Sequence, residues 1–414
     1  MKSDRRIWTG VRLSPKALMR WSTGLERLWT KPFLLMTIGN LFLFVAFYML
    51  YPTLPLFIQQ FGGSETQVGL AMGAFMLSAV VFRPIVGGLL DRFGRRPFII
   101  WGMLFFTLAM YLYTWAGGMA GLMGLRILHG MTWAVSTTAA ITAATDMIPA
   151  ERRGEGIGWF STSMTLAMAI GPMAGLWTAE SLSYDSLFLF AAGLSAAAML
   201  LMAGVKMPVR ARAASKRIEW IEKPVLPIAV SVFFLFVAYG GITTFVPLFA
   251  ASIQLNSGAF FLAYAAALAL IRPFAGKLSD RRGEAFVLVP AILLTVCALI
   301  VLSLSTGLAG VLVSAVLYGV GFGSAQPALQ AAALRWARPD RAGAANATLS
   351  TANDLGIGLG AIMLGWISQQ LSFQALFAVS AVSAAFALIF FIAFRKRSST
   401  RQPANADAVP FESD

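Results

Sequence analysis

The chain has 414 residues, of which 58% are hydrophobic and 12% charged, and its mean hydropathy is +0.74. That balance excludes an ordinary soluble domain and points to an integral membrane protein. A net charge of +14 would suggest a nucleic-acid partner in a soluble protein, but the placement of the charges argues against one, and a single cysteine, Cys297, cannot form an internal disulfide.

The first 32 residues are basic and broken by Pro15 and Pro32. They lack the apolar core of a signal peptide, so the first apolar run is expected to be an uncleaved membrane helix. About 20 apolar residues cross the hydrocarbon layer as a helix. Twelve such runs follow, at 33–58, 67–90, 97–116, 120–147, 157–179, 187–206, 225–250, 259–278, 285–305, 309–335, 344–369 and 374–394. They are long and continuous, without the alternation of barrel strands, and lipid demands that backbone groups be satisfied within each segment. Cys297 falls in an apolar run and reads as a small core residue.

Lys and Arg sort along this map. Of the 32, 29 lie in the two tails, the central linker and alternate loops, and the proposed outer loops hold none. By the positive-inside rule both termini are cytoplasmic, which suits a bacterial inner membrane, and part of the basic charge faces anionic lipid. The predicted layout is a tail at 1–32, a six-helix bundle at 33–206, a linker at 207–224, a second bundle at 225–394, and a polar tail at 395–414 expected to be disordered. The other three cations, Arg83, Arg126 and Arg272, lie inside helices.

The bundles are copies of one another. Arg83-Pro84-Ile85-Val86-Gly87-Gly88-Leu89-Leu90-Asp91-Arg92-Phe93-Gly94-Arg95-Arg96 recurs as Arg272-Pro273-Phe274-Ala275-Gly276-Lys277-Leu278-Ser279-Asp280-Arg281-Arg282-Gly283 at a constant interval of 189 residues. Leu128-His129-Gly130 matches Leu317-Tyr318-Gly319 at that interval, as Gly154 matches Gly343 and Gly171 matches Gly360. A fixed period of this size reports an internally doubled architecture.

The stretch from Gly87 to Arg96, with its weaker echo at Gly276, Asp280 and Arg281, resembles the loop 2–3 and loop 8–9 signatures of the major facilitator superfamily of secondary transporters. The resemblance covers the chain apart from its tails. It implies an all-α integral membrane protein of twelve transmembrane helices in two six-helix pseudo-repeats, with solute bound between the halves near the midplane; the superfamily is a standard instance of that arrangement. Among branches, the chain is most similar to the bacterial twelve-helix drug or metabolite:proton antiporters. Gly158, Ala167, Gly171, Pro172 and Gly175 resemble the helix-5 antiporter signature, with Ala167 and Leu176 in place of glycines. Small residues let helices approach and proline bends them, so Gly158, Gly171, Pro172 and Gly175 are read as a helix-5 hinge, with plain close packing as the other reading.

Charged groups inside a bilayer are functional candidates by default. Asp354 is the one acid placed mid-helix, about 15 Å from the cytoplasmic start of segment 11, and Arg83 lies about 12 Å deep in segment 2, at 1.5 Å per residue. The resembled fold makes these segments neighbours, so an Arg83–Asp354 pair that closes one conformation is expected; the competing reading leaves Asp354 bonded to local backbone or Asn353, with Arg83 reaching the inner surface. Asp354 is the first candidate for proton coupling. The position 189 residues before Asp354 holds Thr165, so the reciprocal pair with Arg272 is missing. Arg126 and His129 share a helix face; His129 is either a proton carrier or a neutral, hydrogen-bonded imidazole. At the inner ends the resemblance implies that Asp146, Glu151 and Glu155 exchange partners with Arg92 and Arg95 as a gating latch, with Asp91 capping helix 11; the other reading is an exposed charge cluster that contributes little. The cavity draws on helices 1, 4, 7 and 10 by resemblance, giving Asn40, Tyr48, Tyr239, Thr243, Thr244, Gln326 and Gln330 as polar candidates and Trp133, Phe42, Phe44 and Phe236 as aromatic ones.

No phosphate-binding glycine loop, catalytic triad or metal-binding cluster is present, so the reading is a non-enzyme without a cofactor, driven by a proton gradient. The implied partners are a small molecule, protons and lipid, with the chain acting as a monomer. Proton-driven efflux of a drug-like compound or small metabolite leads. Leu50 to Pro55 and Asn353 to Gly360 also look similar to exporters of opine-type metallophores, which makes a polar metabolite the alternative, followed by uptake and by a non-transporting sensor or scaffold.

Overall fold

The computed structural model describes residues 28–149, 152–205, 221–338 and 342–399. Twelve long α-helices and no strand are found among them: α1 (Lys31–Gln60), α2 (Glu65–Phe93), α3 (Arg95–Leu112), α4 (Met119–Met147), α5 (Arg153–Ser181), α6 (Tyr184–Ala203), α7 (Leu226–Ser252), α8 (Ser257–Arg282), α9 (Glu284–Ser303), α10 (Leu308–Trp336), α11 (Ala342–Gln370) and α12 (Phe373–Ser399). Local chemistry sets the helix starts. Thr30 caps α1 ahead of Pro32 in its first turn, and Ser64 and Gln67 form a reciprocal capping box on α2. Ser183 and Asn256 cap α6 and α8.

The two charged turns are built alike. Gly94 and Gly283 both sit at φ +85°, and each ends one helix and starts the next. A side chain is strained in that left-handed region, so Gly94→Ala is expected to cost roughly 1–2 kcal/mol, read as a lowered melting temperature, and Gly283→Ala the same.

Among the described residues, nine helices are long and apolar enough to cross a membrane; α4, α5 and α11 fall outside that set. These three are rich in Gly, Ala, Ser and Thr, and α4 and α11 carry Arg126, His129 and Asp354. Small residues permit close helix approach, and interior polar groups face protein in place of lipid. The twelve-helix multi-pass fold thus stands, and two of its three less apolar helices, α4 and α11, hold Arg126 and Asp354.

Packing repeats with the sequence. In the first half α1 packs on α5 and α6, α2 on α4, and α3 on α4 and α6; in the second, α7 packs on α11 and α12, α8 on α10, and α9 on α10 and α12. Gly130 on α4 lies so close to α2 that a Cβ there would overlap the Phe75 carbonyl, and Gly319 on α10 meets the Tyr264 carbonyl at 2.6 Å in the same way. Both members of this contact are separated by the 189-residue interval. The halves meet along α2–α11, α5–α8 and α1–α7.

Two expectations are corrected, those for Cys297 and for the start of the C-terminal tail. Cys297 is exposed rather than a core residue, because it lies on the outward face of α9. The third span, Arg95–Trp115, agrees with the predicted 97–116 and closes in a single 3₁₀ turn over Tyr113–Trp115. The last helix runs to Ser399, past the predicted start of a disordered tail at 395.

Candidate functional site

Two arginines stand at equivalent corners of the seam between halves. Arg83 on α2 donates from Nε to Asp354 Oδ2 on α11 at 2.7 Å, and from Nη1 to Thr137 Oγ1 on α4 at 3.3 Å. Their side chains are 17% and 11% exposed. Arg272 on α8 donates to Thr165 Oγ1 on α5, and to Gln326 Oε1 on α10 at 2.9 Å. Thr165 and Gln326 are the repeat positions of Asp354 and Thr137. Each arginine therefore spans to the opposite half and back to its own, and the corners differ chemically in one respect: a carboxylate answers Arg83, whereas a hydroxyl and an amide answer Arg272.

The seam is held together toward the end opposite the charged turns, here called the apolar end. A Cβ on Gly69 would overlap the Ala361 carbonyl, one on Gly73 would come within 2.8 Å of the Gly358 carbonyl, and one on Gly365 within 2.5 Å of the Glu65 carbonyl. Glycines let α2 and α11 touch backbone to backbone. Thr66 N donates to Gln369 Oε1 at 3.3 Å, and Asn256 Nδ2 to Glu180 Oε2 at 2.9 Å. The α5–α8 side keeps one of these glycines, Gly258 at the repeat position of Gly69, and carries Leu262 and Leu176 at those of Gly73 and Gly365. Toward the basic end, Gln330 is exposed and a Cβ on Gly276 would meet nothing within 4 Å.

Other candidates are placed inside one half. Arg126 is 2% exposed; it donates to the Ala71 carbonyl at 3.0 Å and the Tyr113 hydroxyl at 3.4 Å, and its guanidinium lies 4.3 Å from the centre of the Phe75 ring. His129 Nδ1 is 3.0 Å from the Tyr113 hydroxyl. The pair thus belongs to an α2–α3–α4 core, away from the Arg83–Asp354 seam contact. Cation–π attraction and a backbone carbonyl answer Arg126 there.

Of the cavity candidates, Asn40 donates to Ser163 at 2.8 Å and ties α1 to α5 within the first half. Thr243 bonds to the Tyr239 carbonyl of its own helix, and Thr244 is fully buried. Tyr48 on α1 and Tyr239 on α7 are both buried. Tyr239 stacks on Phe322 at 4.7 Å and contacts Phe236. Trp133 stacks on Phe47 at 4.2 Å and meets Phe44 edge-on at 4.9 Å; Phe42 is half-buried.

The basic-end charges brace each half internally. Arg95 on α3 donates to Asp146 on α4 at 3.0 Å, and to the Leu90 carbonyl. At the equivalent positions Arg335 on α10 donates to Glu284 on α9 at 3.1 Å, so the contact recurs with its charges exchanged. Arg92 lies over Phe93; Arg96 and Arg281 are exposed. Glu151 lies outside the described residues, as do the side chains of Asp91 and Asp280, and with them the expected cap on helix 11. Gly87 lies on α2 near its basic end. Arg152 holds the Glu155 carboxyl below the usual carboxylate range through hydrogen bonds at 2.8 and 2.7 Å.

On α5, Gly171 and Gly175 press against Tyr48 and Met49 of α1, whereas a Cβ on Gly158 would meet nothing within 4 Å. The helix continues through Pro172. One contact had no counterpart in the sequence reading: Glu222, fully buried at the linker's end, accepts from Arg338 at 2.9 and 3.0 Å and donates its amide to Thr348. Its only sequence signal was that it is one of two acids, with Glu219, in a mostly basic linker.

Residues 36–308 and 250–412 match the family described as Major Facilitator Superfamily. The chain belongs to that superfamily of membrane transporters. It is 26% identical over 394 residues to the staphylopine export protein of Staphylococcus aureus, covering 89% of this chain and 97% of that one. It is 29% identical over 189 residues to the multi-drug resistance efflux pump PmrA of Streptococcus pneumoniae, covering 44% and 47% of the two chains. Among solved structures, the fold is similar to a bacterial homologue of the human lysosomal transporter Spinster, at TM-score 0.71 and 16% identity over 89% of this chain and 96% of that one.

Proposed function

We propose that this transporter exports a drug-like compound or small metabolite from a bacterial cytoplasm by proton-coupled alternating access. The observation that carries the reading is the Arg83–Asp354 contact, a buried carboxylate tied to the opposite half. Protonating Asp354 removes the charge that holds Arg83, so a proton binds one arrangement of the seam more strongly than the other. Only such a difference can move the equilibrium. The bundles at 33–206 and 225–394 rock as units, and with the basic end cytoplasmic, this conformation is joined at the outer end and faces inward.

The relatives support export, since the staphylopine export protein and the efflux pump PmrA carry that role in their names. A polar metabolite is favoured over a drug by span: similarity to the staphylopine exporter runs through 89% of this chain, against 44% for the drug pump.

The test is proton flux in proteoliposomes under a defined pH gradient, against amphipathic drugs and metal-chelating metabolites. Compound-dependent flux that Asp354→Asn removes supports the reading; no compound-linked flux from any of them contradicts it.

A further inference from the structure

The difference between the two corners has a chemical meaning. Among the described residues, Arg272 has no carboxylate within ion-pairing distance; its partners are the neutral Thr165 and Gln326, and its Nε is buried without an acceptor. A buried cation is stable when paired and fully hydrogen-bonded, and costly otherwise. Its counterpart Arg83 meets that condition through Asp354, so the fold can supply an acid at this kind of position and at Arg272 does not. Arg126 also lacks an acid, but it is 2% exposed and spends its donors on a backbone carbonyl, a hydroxyl and an aromatic face. Arg272 is half-buried at the seam.

The surroundings suit a ligand with two chemical faces. Tyr239 stacks on Phe322 and Phe322 on Tyr318, which in turn meets Tyr264, so an aromatic row leads from α7 through α10 to α8, the helix that carries Arg272. The membrane-spanning segments hold three arginines, Arg83, Arg126 and Arg272, against one mid-helix acid, Asp354, which Arg83 already engages. Low-dielectric walls lined by one sign of charge concentrate the opposite sign.

We propose that Arg272 is the anion-binding residue of the central site, and that the transported solute is an organic anion with a carboxylate-type group and an aromatic or apolar body. The carboxylate answers Arg272 as Asp354 answers Arg83, accepting from Nε, which has no acceptor in this structure, while the tyrosine wall receives the body. This deepens the export reading above and rests on its central site.

The experiment is equilibrium dialysis of the full-length protein in nanodiscs with 2-naphthoate and its uncharged analogue 2-naphthamide. The wild type is expected to bind naphthoate at least about tenfold more tightly, a difference of about 1.4 kcal/mol. Thr165→Asp supplies Arg272 with an internal carboxylate and is expected to abolish the preference; Arg272→Gln abolishes it by removing the cation, so the result does not hang on one variant folding. Asp185→Asn, an exposed charge change at the apolar end, keeps the wild-type preference. Equal affinity for the two probes in the wild type, no binding of naphthoate, or a preference that survives Thr165→Asp overturns the assignment. Because dialysis reads binding alone, such a failure leaves the export reading to the flux assay.

Discussion

Asp354→Asn is expected to abolish compound-linked proton flux and to lower stability. Arg83 and Asp354 are 17% and 11% exposed and 2.7 Å apart, so removing one partner leaves the other buried without its charge. Breaking such a pair costs about 3–5 kcal/mol, and leaves Arg83 with the hydrogen bond it already donates to Thr137 at 3.3 Å. Loss of flux alone would follow equally from a proton site that needs no partner. The exchanged pair Arg83→Asp with Asp354→Arg separates the two cases. If the contact is a tie across the seam, the double variant regains thermal stability over either single one, together with part of the flux. Two single losses that simply add, with no recovery on exchange, would show that the residues act independently.

Gly175→Leu is the substitution expected to do most damage to the fold. A Cβ there would overlap the Met49 carbonyl oxygen and come within 2.8 Å of the Met49 Cα. The obstacle is backbone, so no rotamer change relieves it, and α1 and α5 must part. Overpacking a side-chain core costs about 1–3 kcal/mol; separating two helices that also carry the Asn40–Ser163 hydrogen bond costs at least that. Gly158→Ala on the same helix meets open space and gains helix propensity, worth about 1 kcal/mol. Thermal unfolding in detergent should move in opposite directions for the two. A Gly175→Leu protein as stable as wild type would show that α5 does not bear on α1 in this way.

Those two glycines show where reading the chain stopped. The helix-5 signature places Gly158, Gly171 and Gly175 in one series, but spacing along one helix does not say which turn has a neighbour, and Gly158 has none. The architecture was legible because its signals are long: twelve apolar runs, a one-sided distribution of Lys and Arg, and a 189-residue interval. The interval also located Thr165 opposite Arg272, though only as an absent acid; its hydroxyl contact needed coordinates. Arg126 satisfied by the Ala71 carbonyl and the Phe75 ring could not be read from residue types, since a carbonyl is present at every position. The Glu222–Arg338 contact joins residues 116 apart, one of them in a linker that reads as solvated charge. The exchanged pairs Arg95–Asp146 and Arg335–Glu284 obey the repeat in position and reverse it in sign, so a search for matching residues passes over them.

The account turns on two bundles that tilt about a shared centre, one end closing as the other opens. Pulsed spin-resonance distances test this without knowledge of the solute. In a Cys297→Ser background, one label pair goes at Thr66→Cys and Gln369→Cys, in contact at the apolar end, and another at the exposed Arg92→Cys and Arg281→Cys of the basic end. On passing from alkaline to acidic buffer in nanodiscs, the two distances are expected to change in opposite directions. Distances that stay fixed at both ends, or lengthen together, would contradict it.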